Sequence, residues 1–251
     1  MVKSDFYRFG QKAGRKFLKA KWVWESVSGG ETDAIKTEYR IGLDMALAIR
    51  EQASCVTDIE IHDYLAGIGQ RLERSVKKKH YQFHVTIIIE DHPTAFAIPG
   101  GFIFVAQSLV NLCDKDKDEI AFVIGHEMAH VIRRHAIKRL LRKTALSAAS
   151  LVSPGRNWFA PWIKKVGLQW LALAYSQDEE FEADALGVLL MRAAGFNPLG
   201  SIRLLERFRG SNLTSDDSVL GPYFSTHPSV EDRILKLHEY LDDLLTESKT
   251  E

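Results

Sequence analysis

DEIAFVIGHEMAHVIRRH, Asp118 to His135, is the stretch from which the fold of this chain is read. Ile120, Phe122, Val123, Ile124, Met128 and Val131 recur at the helical period, so an apolar helix is expected from Asp116 through His135, or in a longer reading to Leu146. Inside it, HEMAH sets His126 and His130 four apart, on one face and one turn of the helix, where both imidazoles can meet one ion. Burying two histidines and Glu127 among those apolar residues would be costly without partners, and a ligand role removes that cost. Glu127 follows His126 directly, which places it beside the ion rather than on it, where a carboxylate can take a proton from water. The five-residue pattern arises by chance about once in roughly 50 sequences of this composition, so its surroundings have to decide.

A catalytic zinc takes three protein ligands and keeps one position open. Cys55 and Cys113 stand far apart without CxxC spacing; neither a thiolate site nor a disulfide framework is indicated, and both read as small buried hydrophobes. A downstream His or carboxylate is therefore required, and the run EEFEAD, Glu179 to Asp184, supplies one. Glu180 and Asp184 lie four apart and share a helix face. Glu180 is the candidate third ligand, and Asp184 can then accept the outer N–H of a ligating imidazole, most simply His126. The alternative for Glu180 is a solvated helix N-terminus, where acids are common.

Outward from this helix, Thr32 to Gln52 and Thr57 to Lys78 are periodic helices. FHVTIIIE, Phe83 to Glu90, is a short β-branched strand, and Ala95 to Ile98 and Phe102 to Val105 flank the turn Pro99-Gly100-Gly101. Asp178 to Ala194, Leu199 to Phe208 and Val230 to Leu245 are further helices. The fold class is α+β, helix-dominated, with a small sheet ahead of the active-site helix. Gly100, Gly101, Phe102, Ile103 and Phe104 have the composition of an exposed edge strand, to which an extended peptide could add through main-chain hydrogen bonds.

Four blocks carry a resemblance: AFAIPGGFIFV from Ala95, DEIAFVIGHEMAHVIRRH from Asp118, YSQDEEFEADALGVLLMRAAGFNP from Tyr175 and THPSVEDRI from Thr226. In this order and over most of the chain, they resemble the HtpX-like and BepA-like zinc metallopeptidases, relatives of the CaaX prenyl protease within the gluzincin group. The resemblance implies a gluzincin-like fold, one zinc per chain, a peptide-bond hydrolase, and Glu180 rather than Glu179 or Glu182 as third ligand. It also implies that His227 lies near the metal, stabilising the oxyanion or filling the open position in a latent state; the other reading is a loop histidine ahead of a helix, with Arg233 in a structural ion pair. Gln177 and Thr94 depart from the family, whose members usually carry Arg and Asn there. Unfolded or misassembled polypeptides are the substrate class implied, with a role in protein quality control.

The 251 residues suit one substantial unit, divided here into a basic arm and helix (1–55), a catalytic domain (56–245) and a frayed tail (246–251). Lys plus Arg and Asp plus Glu both total 33, so no net field points to nucleic acid. Residues 6–24 carry six basic side chains and no acid among aromatics, which fits a membrane-surface helix or a docked arm. Residues 145–173 are apolar and aromatic but too interrupted to span a bilayer, and read as a hairpin over the active-site helix or at a membrane interface. No secretory signal is present, so the chain is expected to be cytoplasmic, or periplasmic if an export signal has been removed. The rival functions are a chaperone-like binding module with a structural or latent zinc, and an HExxH hydrolase of a non-peptide bond.

Overall fold

The computed structural model describes residues 31–56, 58–76, 81–135, 137–138, 175–210 and 230–247. The basic arm (6–24), the aromatic segment (145–173) and His227 lie outside them. The chain forms α1 (Glu31–Gln52), α2 (Ile59–Glu73), β1 (His84–Ile88), β2 (Ala95–Ile98), a 3-10 turn (Pro99–Gly101), β3 (Phe102–Ala106), α3 (Gln107–Leu112), α4 (Lys117–Ile132), α5 (Gln177–Ala193), α6 (Gly200–Gly210) and α7 (Val230–Glu247). Among the described residues, helices outweigh one three-stranded sheet, an α+β architecture. α3 was not expected from the pattern: it is too short to show a period, and its N-cap, Ala106, makes no side-chain capping bond.

The strand order is β1-β3-β2, with β1 parallel to β3 (His84 opposite Phe102) and β2 antiparallel to it (Ala95 opposite Val105). Phe102, Ile103 and Phe104 are thus in the central strand, not at an exposed edge as their composition suggested, because β2 and β1 pair on either side. Every residue of β3 is buried. Gly100 and Gly101 are buried as well, with φ of 84° and 94°, a region where side chains are disfavoured. They pack against backbone: a Cβ on Gly101 would stand 2.0 Å from the Gln82 carbonyl oxygen, and one on Gly100 would stand 2.6 Å from Tyr39 Cα.

The pleat sends alternate residues to two cores. Ile88, Ile98, Phe102 and Phe104 pack with Ile41, Met45, Ala46 and Ile49 of α1. Ile87, Ala95, Ala97, Ile103 and Val105 join Leu65, Ile68 and Leu72 of α2 and Ile120, Phe122 and Ile124 of α4 in the larger core. α4 is buried on all sides from Glu119 to Val131, as expected of a helix at the centre of the layers. Asp116 caps its start, accepting from the amides of Asp118 (2.8 Å) and Glu119 (3.1 Å). The helix stops at Ile132 rather than continuing through His135, because Arg134 takes φ of 62°.

Two glycines give opposite expectations. Gly67 lies in α2 with nothing within 4 Å of an added Cβ, so Gly67→Ala should stabilise by about 0.5–1 kcal/mol. Gly101→Ala should destabilise by more than about 1 kcal/mol, from both the positive φ and the backbone clash. Urea unfolding of the two variants against the parent checks both signs.

Candidate metal centre

Local structure sets the site at the crossing of α4 and α5. A Cβ on Gly125 would lie 3.2 Å from the Gly187 oxygen, and one on Gly187 would lie 3.1 Å from His126 N, so the two backbones touch where side chains would hold them apart. α5 begins with a capping box: Ser176 Oγ accepts from Glu179 N (3.3 Å), and Glu179 Oε2 accepts from Ser176 N (3.0 Å). Glu180, Asp184 and Gly187 follow on the buried face.

Three donor groups converge. His130 Nε2 lies 3.1 Å from His126 Nε2 and 3.4 Å from Glu180 Oε1, and His126 Nε2 lies 3.5 Å from Glu180 Oε2. Tetrahedral ligands bonded at about 2.0–2.1 Å stand about 3.3 Å from one another, so this spacing fits zinc without rearrangement. All three side chains are buried, and Glu127 beside them is 2% exposed. Glu127, Glu180 and Asp184 bring three buried carboxyl groups together with the buried guanidinium of Arg233, a combination that favours additional positive charge in the interior.

The groups behind the donors fix their orientation. Asp184 Oδ1 stands 2.8 Å from His126 Nδ1, leaving Nε2 for the centre. Arg233 holds Asp184 with two hydrogen bonds, Nε to Oδ2 and Nη2 to Oδ1, each 2.7 Å, and its Nη1 lies 3.2 Å from Glu180 Oε2. Burial disfavours the charged form of Asp184, but Arg233 and His126 outweigh it and hold its carboxyl below the usual range. For His126, burial disfavours the imidazolium, but hydrogen bonds and charge from Asp184 and Glu180 outweigh it and push the pKa up to about 9. His130 Nδ1 lies 3.0 Å from His135 Nδ1, and His135 Nε2 lies 3.1 Å from Glu182 Oε2. Burial lowers the His135 pKa against the opposing pull of Glu179 and Glu182. The Tyr175 ring stacks on His130 with centroids 3.8 Å apart.

The acids of EEFE therefore separate by helix phase: Glu179 caps, Glu180 faces the imidazoles, and Glu182 faces His135 and Arg133. Of the residues singled out from sequence, His126, Glu127, His130, Glu180 and Asp184 share one buried region, while Gly100 to Phe104 belong to the sheet core. His135 and Tyr175 were missed; both stand inside quoted motifs, but neither offers a spacing signal. Gln177 donates to Asp232 Oδ2 (2.9 Å), and Thr94 offers its carbonyl to Ala106 N (2.8 Å).

The sequence model of peptidase family M48 matches residues 61–241. The chain belongs to that family. It is 30% identical over 193 residues to the mitochondrial metalloendopeptidase OMA1 of Schizosaccharomyces pombe, covering 74% of this chain and 55% of that protein. It is 32% identical over 164 residues to the protein of the same name in Saccharomyces cerevisiae, covering 64% and 47%. The beta-barrel assembly-enhancing protease of Escherichia coli is 26% identical over 219 residues, covering 82% and 44%. The chain spans about half the length of these relatives. Membership in M48 makes it a metallopeptidase by class, and the donor set is of the kind such a class requires.

Two expectations follow. His126 with a pKa of about 9 carries a proton at pH 7, and ligation needs that proton gone, so metal uptake by this M48 chain should release about one proton per ion. Calorimetry in buffers of different ionisation enthalpy measures that number, and apparent affinity should rise with pH until about 9. Replacing Arg233 by Met removes the buried guanidinium that pairs with both Asp184 and Glu180, so metal-free Arg233→Met should lose about 3–5 kcal/mol in denaturant unfolding.

Proposed function

We propose that this chain is a zinc-dependent endopeptidase holding one zinc ion on His126, His130 and Glu180, with Glu127 as general base. The observation that carries the reading is the tetrahedral spacing of three donor groups beside a buried glutamate in a member of a peptidase family. Zinc, when bound, supplies a Lewis acid that polarises the scissile carbonyl and acidifies water. Glu127 accepts the proton of the attacking water and returns it to the leaving amine. Asp184 keeps His126 in the tautomer that offers Nε2 inward. His227, three positions ahead of α7 in sequence, is proposed as a further oxyanion group.

The catalytic unit is taken as 56–245, with α1 packed on its sheet. Substrate recognition is assigned to β2, the edge strand packed against α4, beside which an extended polypeptide would add through its main chain. Main-chain recognition selects weakly among sequences, which suits unfolded or misassembled polypeptides and a place in protein quality control. The relatives' names, a metalloendopeptidase and a beta-barrel assembly-enhancing protease, support the endopeptidase part of this reading. Residues 6–24 or 145–173 are proposed as peripheral membrane contacts; among the described residues no helix is long and apolar enough to cross a membrane.

The purified chain should bind one zinc and cleave casein in a chelator-sensitive manner. Glu127→Gln should keep zinc while cleavage slows by about 10²–10⁴-fold, the usual share of a general base. Glu180→Ala should lose most of its zinc. Full casein cleavage by zinc-loaded Glu127→Gln would remove Glu127 as general base, a zinc-loaded parent chain that cleaves no casein would favour a binding module, and unchanged zinc in Glu180→Ala would remove the third ligand.

A further inference from the structure

The sequence just past the active-site helix is built in an unusual way. In a continuous α-helix, a residue five places after His130 would be turned about 140° away from it around the axis. Here the helix breaks after Ile132, Arg134 takes φ of 62°, and His135 comes back beneath His130 with its Nδ1 3.0 Å away. A left-handed conformation at a residue other than glycine is costly and persists only where the surroundings fix it. Those surroundings are present: Glu38 of α1, itself 3% exposed, accepts from Arg134 Nε at 2.7 Å. His135 is 1% exposed, and its far nitrogen lies 3.1 Å from Glu182 Oε2, a carboxylate that also pairs with Arg133 at 3.2 Å.

Hydrogen-bond logic fixes the protons along this row. Two imidazole nitrogens 3.0 Å apart need one proton between them. If His130 offers Nε2 to an ion, its proton sits on Nδ1, so His135 Nδ1 must accept and His135 Nε2 must carry the N–H, for which Glu182 is the acceptor. We propose that His135 is a positioning residue for the zinc site: it accepts the Nδ1–H of His130, donates to Glu182, and so holds His130 with Nε2 aimed at the ion. The proposal rests on the zinc-ligand reading given above. It makes the two histidine ligands unlike: His126 is oriented directly by a carboxylate, and His130 through a neutral imidazole.

Zinc affinity measured by chelator competition in the full chain tests this, with the unfolding temperature of each metal-free variant recorded beside it. His135→Leu should weaken zinc binding by about 10–100-fold, the cost of losing such an outer partner. His135→Asn, whose amide oxygen accepts near the place of Nδ1 and whose amide nitrogen can donate onward, should recover most of that loss. Glu182→Ala, a half-exposed site, should weaken binding several-fold, and the Co2+ form of His135→Leu should show shifted visible absorption that His135→Asn restores. Parental affinity in His135→Leu, or equal losses in folded His135→Leu and His135→Asn, would overturn the proposal. Should His135→Leu not fold, parental affinity in Glu182→Ala would overturn it. A parent chain that binds no zinc, or a Glu180→Ala variant that keeps it, instead overturns the underlying ligand assignment.

Discussion

The close crossing of α4 and α5 is the contact on which the site depends. Gly125 and Gly187 let the two backbones approach to a separation that even an alanine Cβ would press against. Only at that separation can imidazoles from one helix and a carboxylate from the other lie 3.4–3.5 Å apart without long, mobile side chains bridging the gap. Helix phase completes the arrangement. Glu180, Asp184 and Gly187 fall on one face of α5, so the residues that contact α4's backbone and those that meet its histidines are aligned by the same geometry.

That approach buries charge, and the rest of the site is organised around the burial. Glu180 and Asp184 would repel each other in a low-dielectric interior; Arg233, fully enclosed, bonds Asp184 twice and reaches Glu180. The start of α7 is thereby tied to the start of α5 by charge rather than by shape alone. Glu119, at the other end of α4, is handled separately: it is 1% exposed and accepts from Arg207 Nε and Nη2 of α6, at 3.0 and 3.1 Å. The central helix is therefore anchored by ion pairs at one end and by the donor cluster at the other.

How much of this could be read from sequence follows from which interactions are local. HEMAH is legible because ligand spacing and helix pitch coincide within five residues, while the Asp116 cap and the Ser176 capping box that start the two helices emerged only with the structure. Glu180 was singled out by its four-residue spacing to Asp184, a choice with which the resemblance agreed, whereas the capping contact that occupies Glu179 and the histidine that meets Glu182 are contacts with other groups, invisible in an acidic run. His135 was illegible for the same reason: its place depends on a left-handed residue held by Glu38, almost a hundred positions earlier in the chain. Strand order failed too. A buried run such as FIFVA has the same composition at the centre of a sheet as at its edge, and only pairing decides between them.

The corrected strand order has a consequence for the side of the sheet nearest the site. β2 and β3 are joined by a turn and pair as neighbours, so once β1 lies parallel along β3's other flank, β2 must be the outer strand on the α4 side. Its residues facing the larger core are Ala95 and Ala97, both almost fully buried, whereas β3 places Ile103 and Val105 there. Small side chains allow an edge strand to sit close to the helix that carries His126 and His130. A bulkier pair at those positions would push strand and helix apart and widen the distance between any polypeptide aligned along β2 and the imidazoles. The alanines in AFAI, read from sequence as ordinary strand residues, thus pack the edge strand against the helix of the donor cluster, a contact that depends on pairing and packing together rather than on either alone.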